Sequence, residues 1–322
     1  MTTELTEITV IGGDKTGLIA RVTTLLFERG INIEDLDQAV RDGLFRMSMR
    51  VDVDEMTTER DELRAALSDL GRELGVEIQV RFPSDRETRR IAVFATKESH
   101  CLEALLAAAE TNDLDVEIAA VIGNRGTLRE LAESHDVPFY DVGDGKGSPD
   151  EDRMLDILAE HDVDLIVLAR YMRILGPKIV FRYEDRIINI HPSLLPAFPG
   201  AAAYRQAKEE GVRIAGVTAH YVTTDLDQGP VITQRAFDVP DDALIDEIKA
   251  RGQPLEADAL LEAVKLHLKD AVAVHRGRTS LRDGADPKHY QLGLSKTAQD
   301  DNPTEPIDRS LEPSELSSIA DD

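Results

Sequence analysis

Three polar side chains in the second half of the sequence have the types and positions needed for chemistry on a carbonyl group. Asn189 and His191 stand in the segment NIHPSLLPAFPG, directly after a strand-like run, and Asp227 stands in a later Asp-Gln-Gly-Pro turn. Ligands of open α/β sheets bind outside the carboxyl ends of the strands, which is where these residues are expected. There Asn189 would donate to a developing oxyanion, His191 would donate or relay a proton, and Asp227 would orient or deprotonate the nucleophile. None of them is an evident covalent nucleophile, so the pattern predicts direct attack by water or an amine.

Each of these residues also has a purely structural interpretation, because an Asn at a strand end caps backbone groups and Asp-x-Gly-Pro is a common turn. No metal site is predicted, since the candidate ligands lack the tight spacing of zinc motifs; they are His191, His220, Asp225 and Asp227. Cys101 is the single cysteine, and we assign it to the first turn of a helix rather than to a nucleophile.

The composition is that of a globular cytoplasmic protein with a strongly acidic surface. The 322 residues give room for two domains, and 62 acidic against 37 basic residues give a formal net charge of −25. Such a charge repels nucleic acids and anionic lipid, which argues against both as partners. Because the acids are spread over the whole chain, we interpret them as an adaptation to a salt-rich cytoplasm. A single cysteine cannot form an internal disulfide, and no apolar run approaches the roughly 18 residues needed to span a membrane.

The first part of the chain predicts a small split βαβ unit. A strand at Ile8–Ile11 leads through a glycine-rich turn into an amphipathic helix that ends at Gly30. Two strands joined by an Asp-Gly turn, a second helix and a last strand follow; they are Ile31–Val40, Leu44–Val53, about Thr58–Leu74, and Val76–Phe82. The order β-α-β-β-α-β predicts a ferredoxin-like domain.

From Ile91 onward strands alternate with helices, which predicts a doubly wound, mostly parallel sheet. The predicted strands are Ile91–Ala95, Val116–Gly123, Pro138–Val142, Leu165–Leu168 and Ile187–Ile190, with helices that begin near Cys101, Thr127, Asp150 and Pro177. Two longer strands and a helix complete this part; they are Arg213–Val222, Val231–Val239 and about Pro254–Leu268.

Polar segments separate and end these units. The proline-marked stretch FPSDRETRR predicts a linker, and the acidic chain beyond about Gly284 has no apolar period and predicts a disordered tail. We therefore divide the chain into a first domain at 1–83, a linker at 84–89, a second domain at 90–282 and a tail at 283–322.

The segment NIHPSLLPAFPG followed by AHYVTTDLDQGPVI resembles the folate-dependent formyltransferase family. In that family an Asn-x-His pair and a later Asp in an Asp-x-Gly-Pro turn form the catalytic trio, and the matching positions here are Asn189, His191 and Asp227. The gap of 38 positions from Asn189 to Asp227 is similar as well. The resemblance implies that these three residues are catalytic and that they act on a formyl group carried by a folate.

The first domain resembles an ACT module, because GGDKTGLIARVTTLLFERGINIEDLDQAV has the glycine turn, the helix and the strand start of such modules. An ACT module before a formyltransferase fold is the arrangement of the formyltetrahydrofolate deformylase family, which FATKESHCLEALL and LARYMRIL also resemble. The resemblance covers about residues 5 to 282. It implies hydrolysis of 10-formyltetrahydrofolate to tetrahydrofolate and formate, which supplies formate to one-carbon metabolism and purine biosynthesis, without a cofactor.

Two alternatives stay open beside this interpretation. The phosphoribosylglycinamide formyltransferases share the trio, but they hold a phosphate with a Gly-Ser/Asn-rich loop where this chain has Thr96-Lys97-Glu98-Ser99-His100, without glycine and with an acid. One departure favours them, since deformylases often show His-His-Ser where this chain has His191-Pro192-Ser193. The missing loop and the added ACT module outweigh it, so water is the predicted acceptor. A non-catalytic sensor of folate and an amino acid is the other alternative, and the intact trio argues against it.

Further residues take predicted roles from the resemblance. The pterin would lie against the loop that follows the strand Leu165–Leu168, and the predicted substrate-binding residues are Arg170, Tyr171, Met172, Arg173, Lys97 and His220. His220 is also a candidate support for Asp227. A small amino acid would bind at an interface between two ACT modules, which implies a homo-oligomer; the predicted effector-binding residues are Asp14, Gly17 and Asn32.

Overall fold

The first part of the chain folds as a four-stranded antiparallel sheet with two helices. The computed structural model describes residues 5–82 and 88–282. Its first elements are β1 (Thr6–Gly13), α1 (Leu18–Phe27), β2 (Asn32–Arg41), β3 (Leu44–Asp52), α2 (Arg60–Leu74) and β4 (Val76–Arg81). The strands pair in the order β2-β3-β1-β4. The predicted β-α-β-β-α-β fold is confirmed.

The core of this domain follows from the spacing of its apolar residues. Ile8 and Val10 are two positions apart on β1, so both point into the core, and both are fully buried. They share one cluster with Val22 of α1 and Leu67 of α2. Gly75 ends α2 with a φ of 67°, a left-handed conformation that glycine adopts without steric cost, and β4 begins at the next residue.

The second part of the chain forms a seven-stranded, mostly parallel sheet in the order β11-β10-β9-β8-β5-β6-β7. Strand β10 runs against its neighbours β9 and β11, and the other paired strands are parallel. The strands are β5 (Arg89–Ala95), β6 (Val116–Gly123), β7 (Phe139–Asp141), β8 (Leu165–Leu168), β9 (Ile187–His191), β10 (Ile214–Tyr221) and β11 (Val231–Asp238). The helices are α3 (His100–Glu110), α4 (Arg129–Ser134), α5 (Glu151–Glu160), α6 (Pro177–Arg182), α7 (Ala203–Glu209) and α8 (Ile245–Leu268), and the hairpin β12 (Val272–His275) and β13 (Arg278–Leu281) follows.

Helices cover both faces of this sheet, as the alternation of elements predicts. α3 and α8 bury Leu102 and Leu260 against one face, and α5 and α6 bury Met154 and Ile179 against the other. Strand β8 is buried along its whole length, which explains its uninterrupted apolar run. Among the described helices, none is both long enough and apolar enough to cross a membrane.

The strand order reverses beside β5, and this reversal sets the place of the candidate site. β6 and β7 lie on one side of β5, whereas β8 and β9 lie on the other. Ligands of such sheets bind at the reversal, outside the carboxyl ends of the strands. The segments that follow β5, β8 and β9 therefore meet at the edge where the candidate catalytic residues were expected.

Three elements differ from the predictions made from sequence. Helix α8 begins at Ile245 instead of near Pro254, which lies inside the helix. A proline removes one backbone donor, and the buried residues Ile248, Gly252 and Glu256 continue the same helical face past it at a spacing of four. Helix α7 and the hairpin β12–β13 were not predicted.

Charged side chains join the two sheet domains. Arg46 of β3 is buried and pairs with Glu184, in the segment between α6 and β9. Arg182 of α6 donates from Nε to Glu77 of β4 at 2.9 Å. These pairs connect the first sheet to the segment that leads into β9, the strand with two of the candidate catalytic residues.

The structure does not describe most of the residues to which the linker and tail predictions apply. Most of the predicted linker, 84–87, and the whole predicted tail, 283–322, lie outside the described residues.

Candidate active site

Strand β9 carries Asn189 and His191 on one side of the sheet. The two residues are two positions apart, so their side chains point the same way. β9 pairs with β8 and β10 in a register that sets Asn189 opposite Leu168 on one side and His220 on the other. The Asn189 side chain is half-buried and that of His191 is buried. The strand thus presents an amide and an imidazole at its carboxyl end.

His220 of β10 fixes the orientation of the Asn189 amide. His220 Nδ1 lies 2.9 Å from the Tyr221 carbonyl oxygen, which can only accept, so Nδ1 carries the proton. Burial lowers the pKa of His220 to about 4, so the ring is neutral near pH 7 and its Nε2 accepts. Asn189 Nδ2 donates to this Nε2 at 3.1 Å. The amide keeps one N–H for a ligand.

His191 lies between a backbone carbonyl and a carboxylate. Its Nε2 is 2.9 Å from the Phe198 carbonyl oxygen, so Nε2 carries a proton. Its Nδ1 is 3.4 Å from Asp227 Oδ2. The imidazole therefore lies between the proline-rich segment and the turn that carries Asp227.

The Asp227 carboxylate accepts a backbone hydrogen bond and lies near two histidines. The Gly200 N–H donates to Oδ2 at 2.7 Å, and Oδ1 lies 3.9 Å from His220 Nε2. The Asp227 backbone has a φ of 54°, a left-handed conformation that is uncommon outside glycine. A Cβ at Gly229 would lie 1.7 Å from the Tyr221 carbonyl oxygen, so the turn that follows requires glycine there.

The proline-rich segment 192–200 is held in one conformation by hydrogen bonds to β10. Its prolines restrict the backbone in the same way. Thr218 Oγ1 donates to the Ser193 carbonyl oxygen at 2.7 Å and accepts from the Leu195 N–H at 3.0 Å. These bonds set the positions of the Phe198 carbonyl, which holds His191, and of the Gly200 N–H, which holds Asp227. The segment therefore supplies two backbone groups to the site.

Thr96, directly after β5, ties the loop after β8 to the sheet edge. Its Oγ1 accepts from the Met172 N–H at 3.0 Å and donates to Asn124 Oδ1 at 2.8 Å. Asn124 Nδ2 and Arg173 Nε donate to the Gly147 carbonyl oxygen at 2.8 and 2.7 Å. The Met172 side chain is about half exposed beside them. This network holds the loop that the sequence resemblance assigns to the pterin.

A cluster of buried charges lies where the segments after β5 and β8 meet α8. Arg170 Nε is 2.8 Å from Glu98 Oε2 and 3.2 Å from Glu256 Oε2. Glu256 is completely buried and also accepts from the Tyr204 hydroxyl at 2.6 Å, while Lys249 Nζ lies 2.6 Å from Glu98. Burial favours the neutral form of Glu98, but the charges of Arg170 and Lys249 prevail and lower its pKa.

This cluster also contains a group of potential metal ligands. His100, Cys101 and Glu256 place one ligand atom each within 4.8 Å of one another. Arg170 already neutralises Glu256, and its guanidinium would repel a cation. Burial, followed by the charge of Glu256, raises the pKa of the Cys101 thiol well above its ordinary value. We therefore interpret the group as part of the charge cluster, with Cys101 in the first turn of α3 as predicted.

Three of the six predicted substrate-binding residues face protein groups instead of the open edge. Tyr171 packs edge-on against Phe94 in the apolar core, with ring centroids 5.3 Å apart, and burial raises its pKa. Arg170 is bound by two acids, and His220 by Asn189 and a backbone carbonyl. His220 also lies closer to Asn189 than to the carboxylate it was expected to support. Their substrate-binding role stays a prediction, because residue type does not show which way a loop side chain points.

The predicted effector-binding residues do not come together within one chain. Asp14 and Gly17 follow β1, and the Asp14 N–H donates to the Gly43 carbonyl oxygen at 3.2 Å. Asn32 begins β2 at the opposite end of the sheet, opposite Asp52. One ligand cannot contact all three in a single ACT module of this geometry.

The fold and the site together define a class of enzyme. An Asn-x-His strand end and an Asp-bearing turn converge at the edge of a mostly parallel α/β sheet, and a ferredoxin-like domain precedes that sheet. Residues 89–264 match the formyl transferase family, and residues 6–81 match the ACT domain family. The class is that of formyltransferase-fold enzymes with an ACT domain.

Curated relatives identify the family within this class. The chain is 39% identical over 271 residues to formyltetrahydrofolate deformylase of Bacillus subtilis, a match that covers 83% of this chain and 90% of that protein. It is 40% identical over 268 residues to formyltetrahydrofolate deformylase of Escherichia coli K12, covering 83% and 94%. The chain belongs to the formyltetrahydrofolate deformylase family.

Solved structures agree with this assignment. A formyltetrahydrofolate deformylase from Pseudomonas syringae pv. tomato matches with a TM-score of 0.60 and 32% identity, covering 87% of this chain and 94% of its own. A phosphoribosylglycinamide formyltransferase from Anaplasma phagocytophilum matches with a TM-score of 0.58 and 36% identity, covering 62% and 97%. The transferase thus corresponds to a smaller share of the chain than the deformylase does.

Proposed function

We propose that the protein hydrolyses 10-formyltetrahydrofolate to tetrahydrofolate and formate. The observation that carries this proposal is the convergence of Asn189, His191 and Asp227 at one edge of the sheet, where His191 Nδ1 lies 3.4 Å from Asp227 Oδ2 and Asn189 is hydrogen-bonded to His220. The deformylases named above support the same reaction, and they match the chain through both of its domains.

In the proposed mechanism Asp227 orients a water molecule, directly or through His191, against the formyl carbon. The developing oxyanion accepts a hydrogen bond from the remaining N–H of Asn189, and His191 stabilises it as a second donor. Removing one such donor typically costs about 3 kcal/mol of transition-state stabilisation. Asp227 accepts a proton from the attacking water, and this proton passes through His191 to the folate nitrogen as the tetrahedral intermediate collapses and the C–N bond breaks. Formic acid leaves and gives its own proton to solvent, becoming formate.

The substrate side of the site is the loop after β8. We place the pterin against its backbone, where the Met172 N–H is fixed by Thr96 and the Arg173 guanidinium by Gly147. Met172 offers apolar surface, and Arg173 together with the exposed Lys97 offers positive charge to an anionic folate on an acidic protein. These three residues are the substrate-binding residues that we retain from the sequence.

The loop after β5 supports water, and not a phosphorylated amine, as the acceptor. Arg170 pairs with Glu98 and Glu256, and Lys249 pairs with Glu98, so two carboxylates already neutralise these two cations. A phosphate would have to approach a carboxylate where the transferases have a glycine-rich loop. Beyond the reaction itself, we propose a cytoplasmic homo-oligomer without a cofactor, adapted to high salt, in which the ACT modules bind a small amino acid and the formate enters one-carbon metabolism and purine biosynthesis.

The test is tetrahydrofolate and formate release from 10-formyltetrahydrofolate in high-potassium buffer, with and without glycinamide ribonucleotide. We expect equal release of both products without any amine. Asp227→Asn should lower the rate by about 10²–10⁴-fold, the usual contribution of a positioned acid or base. The exposed Asp242→Asn is the matched control and should leave the rate unchanged.

Two other outcomes would replace the proposal. Turnover that requires the ribonucleotide would identify a transferase. Folate binding without turnover in the wild type, equal to binding by Asp227→Asn, would identify a sensor.

A further inference from the structure

Arg41 connects the ACT domain to the loop that carries Asp227. It is the last residue of β2, and its Nη1 donates to Thr224 Oγ1 at 2.7 Å and to Asp225 Oδ1 at 2.8 Å. Both acceptors lie in the loop between β10 and β11 (222–230), within three positions of Asp227. The Arg41 guanidinium of the first domain therefore binds the loop that carries Asp227, the candidate base of the second domain.

The loop is built from consecutive turns, so fixing Asp225 restrains Asp227. The Asp225 N–H donates to Thr223 Oγ1 at 3.4 Å, and the Gln228 N–H donates to the Asp225 carbonyl oxygen at 3.3 Å. Asp227 lies inside the second of these turns with its left-handed φ. Aspartate adopts this conformation more readily than most residues, and here the Asp225–Gln228 hydrogen bond closes the turn around it.

We propose that Arg41 is a positioning residue for Asp227. By holding Thr224 and Asp225, it keeps the loop in the conformation that places the Asp227 carboxylate on the Gly200 N–H and beside His191. The inference rests on the proposed function in one respect, since Asp227 has to act in turnover for its position to affect the rate.

The same contact gives the ACT domain a physical path to the active site. The turn after β1 is joined to the β2–β3 turn by the bond from the Asp14 N–H to the Gly43 carbonyl oxygen. Gly43 is two positions from Arg41. A shift of the turn after β1 would therefore move Gly43 through this hydrogen bond. It would then move Arg41, which binds the Asp227 loop, through the tight β2–β3 turn.

The first test compares Arg41→Gln with Arg50→Gln in the full chain. Arg50 pairs with Asp35 at 2.7 Å inside the first sheet, and its exposed fraction of 39% is close to the 42% of Arg41. Because exposed pairs contribute little, Arg41→Gln should lower kcat by about fivefold, with KM unchanged, and Arg50→Gln should change neither. Arg41→Lys keeps the charge and should recover most of the rate.

The second test determines whether Arg41 changes kcat through its contacts with the loop 222–230. Asp225→Asn should lower kcat as Arg41→Gln does, and the double variant should be no slower than either single variant. Hydrogen–deuterium exchange of the peptide 222–230 should rise in Arg41→Gln and not in Arg50→Gln. This exchange measurement does not need turnover.

The outcomes separate the positioning role from the proposed function. Equal losses of kcat in Arg41→Gln and Arg50→Gln, additive losses in the double variant, or unchanged loop exchange in Arg41→Gln would each overturn the role of Arg41. A wild-type protein that releases no formate, but whose loop exchange rises in Arg41→Gln, would overturn the hydrolase and leave the anchoring of the loop supported.

Discussion

Asn189 assists a developing oxyanion only if its amide nitrogen, and not its oxygen, faces the formyl group. The structure sets this choice through a chain of three groups. The Tyr221 carbonyl oxygen accepts a hydrogen bond from His220 Nδ1–H, so Nε2 has only a lone pair, and the Asn189 nitrogen donates to it. A buried neutral histidine thus fixes the orientation of the amide that we propose as the oxyanion donor.

His220→Phe should therefore lower kcat, because it removes the acceptor that orients Asn189. We expect a fall of about tenfold or more, approaching the 10²–10³-fold loss seen when an oxyanion donor is deleted. KM should change little, since His220 is not exposed to substrate. The measurement is steady-state formate release.

His267→Phe is the matched control for this substitution. His267 is another histidine whose pKa is lowered by burial, to about 3, and its Nδ1 bonds to the Tyr221 hydroxyl at 2.9 Å. His220→Gln restores an acceptor and should recover part of the rate. Equal losses in both phenylalanine variants would indicate a general packing defect and contradict the positioning role.

The sequence predicts the catalytic candidates because their residue types and spacing are specific. It does not predict the backbone groups that hold them, which are the Phe198 carbonyl and the Gly200 N–H. Every non-proline residue carries a carbonyl and an N–H, so the sequence does not show which of them will contact the site. Nor does it predict that Glu256 pairs with Arg170, because the two residues are far apart in the chain. The signal available for Glu256 was an acid on the apolar face of a helix.

At the scale of elements, the ion pairs of Arg170 with Glu98 and Glu256 connect three segments of the second domain. Arg170 follows β8, Glu98 follows β5, and Glu256 belongs to α8, so the ion pairs fix the carboxyl edge of the sheet against that helix. Arg170 has a φ of 61°, again a left-handed conformation. The loop after β8 begins at this residue, so its starting direction depends on the cluster.

Arg170→Met should destabilise the fold by about 3 kcal/mol, because it leaves the buried charge of Glu256 without its cation. Urea unfolding of the full chain measures this change. The double variant Arg170→Met, Glu256→Gln removes the uncompensated charge and should recover part of the loss. A double variant as unstable as Arg170→Met would show that lost packing, and not charge, is responsible.

The elements themselves were predictable wherever apolar periodicity and turn residues agree. Asp150 shows this well, since it precedes α5 and its side chain accepts from the Arg153 N–H as a helix cap. The start of α8 was predicted wrongly because Pro254 was taken as a helix boundary, although tertiary packing carries the helix through it. The hairpin after α8 was missed because its strands span four residues each, too short to show a pattern.

At the scale of the whole molecule, the net charge of −25 opposes the compact state by self-repulsion. Raising KCl shortens the Debye length from about 10 Å at 0.1 M to about 3 Å at 1 M. The thermal midpoint should therefore rise with KCl over this range. Differential scanning fluorimetry at a fixed protein concentration measures it.

The opposite result has an equally clear meaning. Many charges in the described residues are paired across short distances, and screening weakens exposed pairs as well. A thermal midpoint that falls with KCl would show that these ion pairs outweigh the net repulsion, and it would contradict adaptation to high salt.

Cys101 has a consequence for the behaviour of the protein under oxidising conditions. It is the only sulfhydryl in the chain, it is fully buried, and its environment disfavours the thiolate that peroxides and alkylating agents attack. The folded protein therefore presents no reactive thiolate to such reagents. A cysteine introduced on the surface would react selectively with a maleimide dye, so fluorescent probes can be attached without first mutating the native residue.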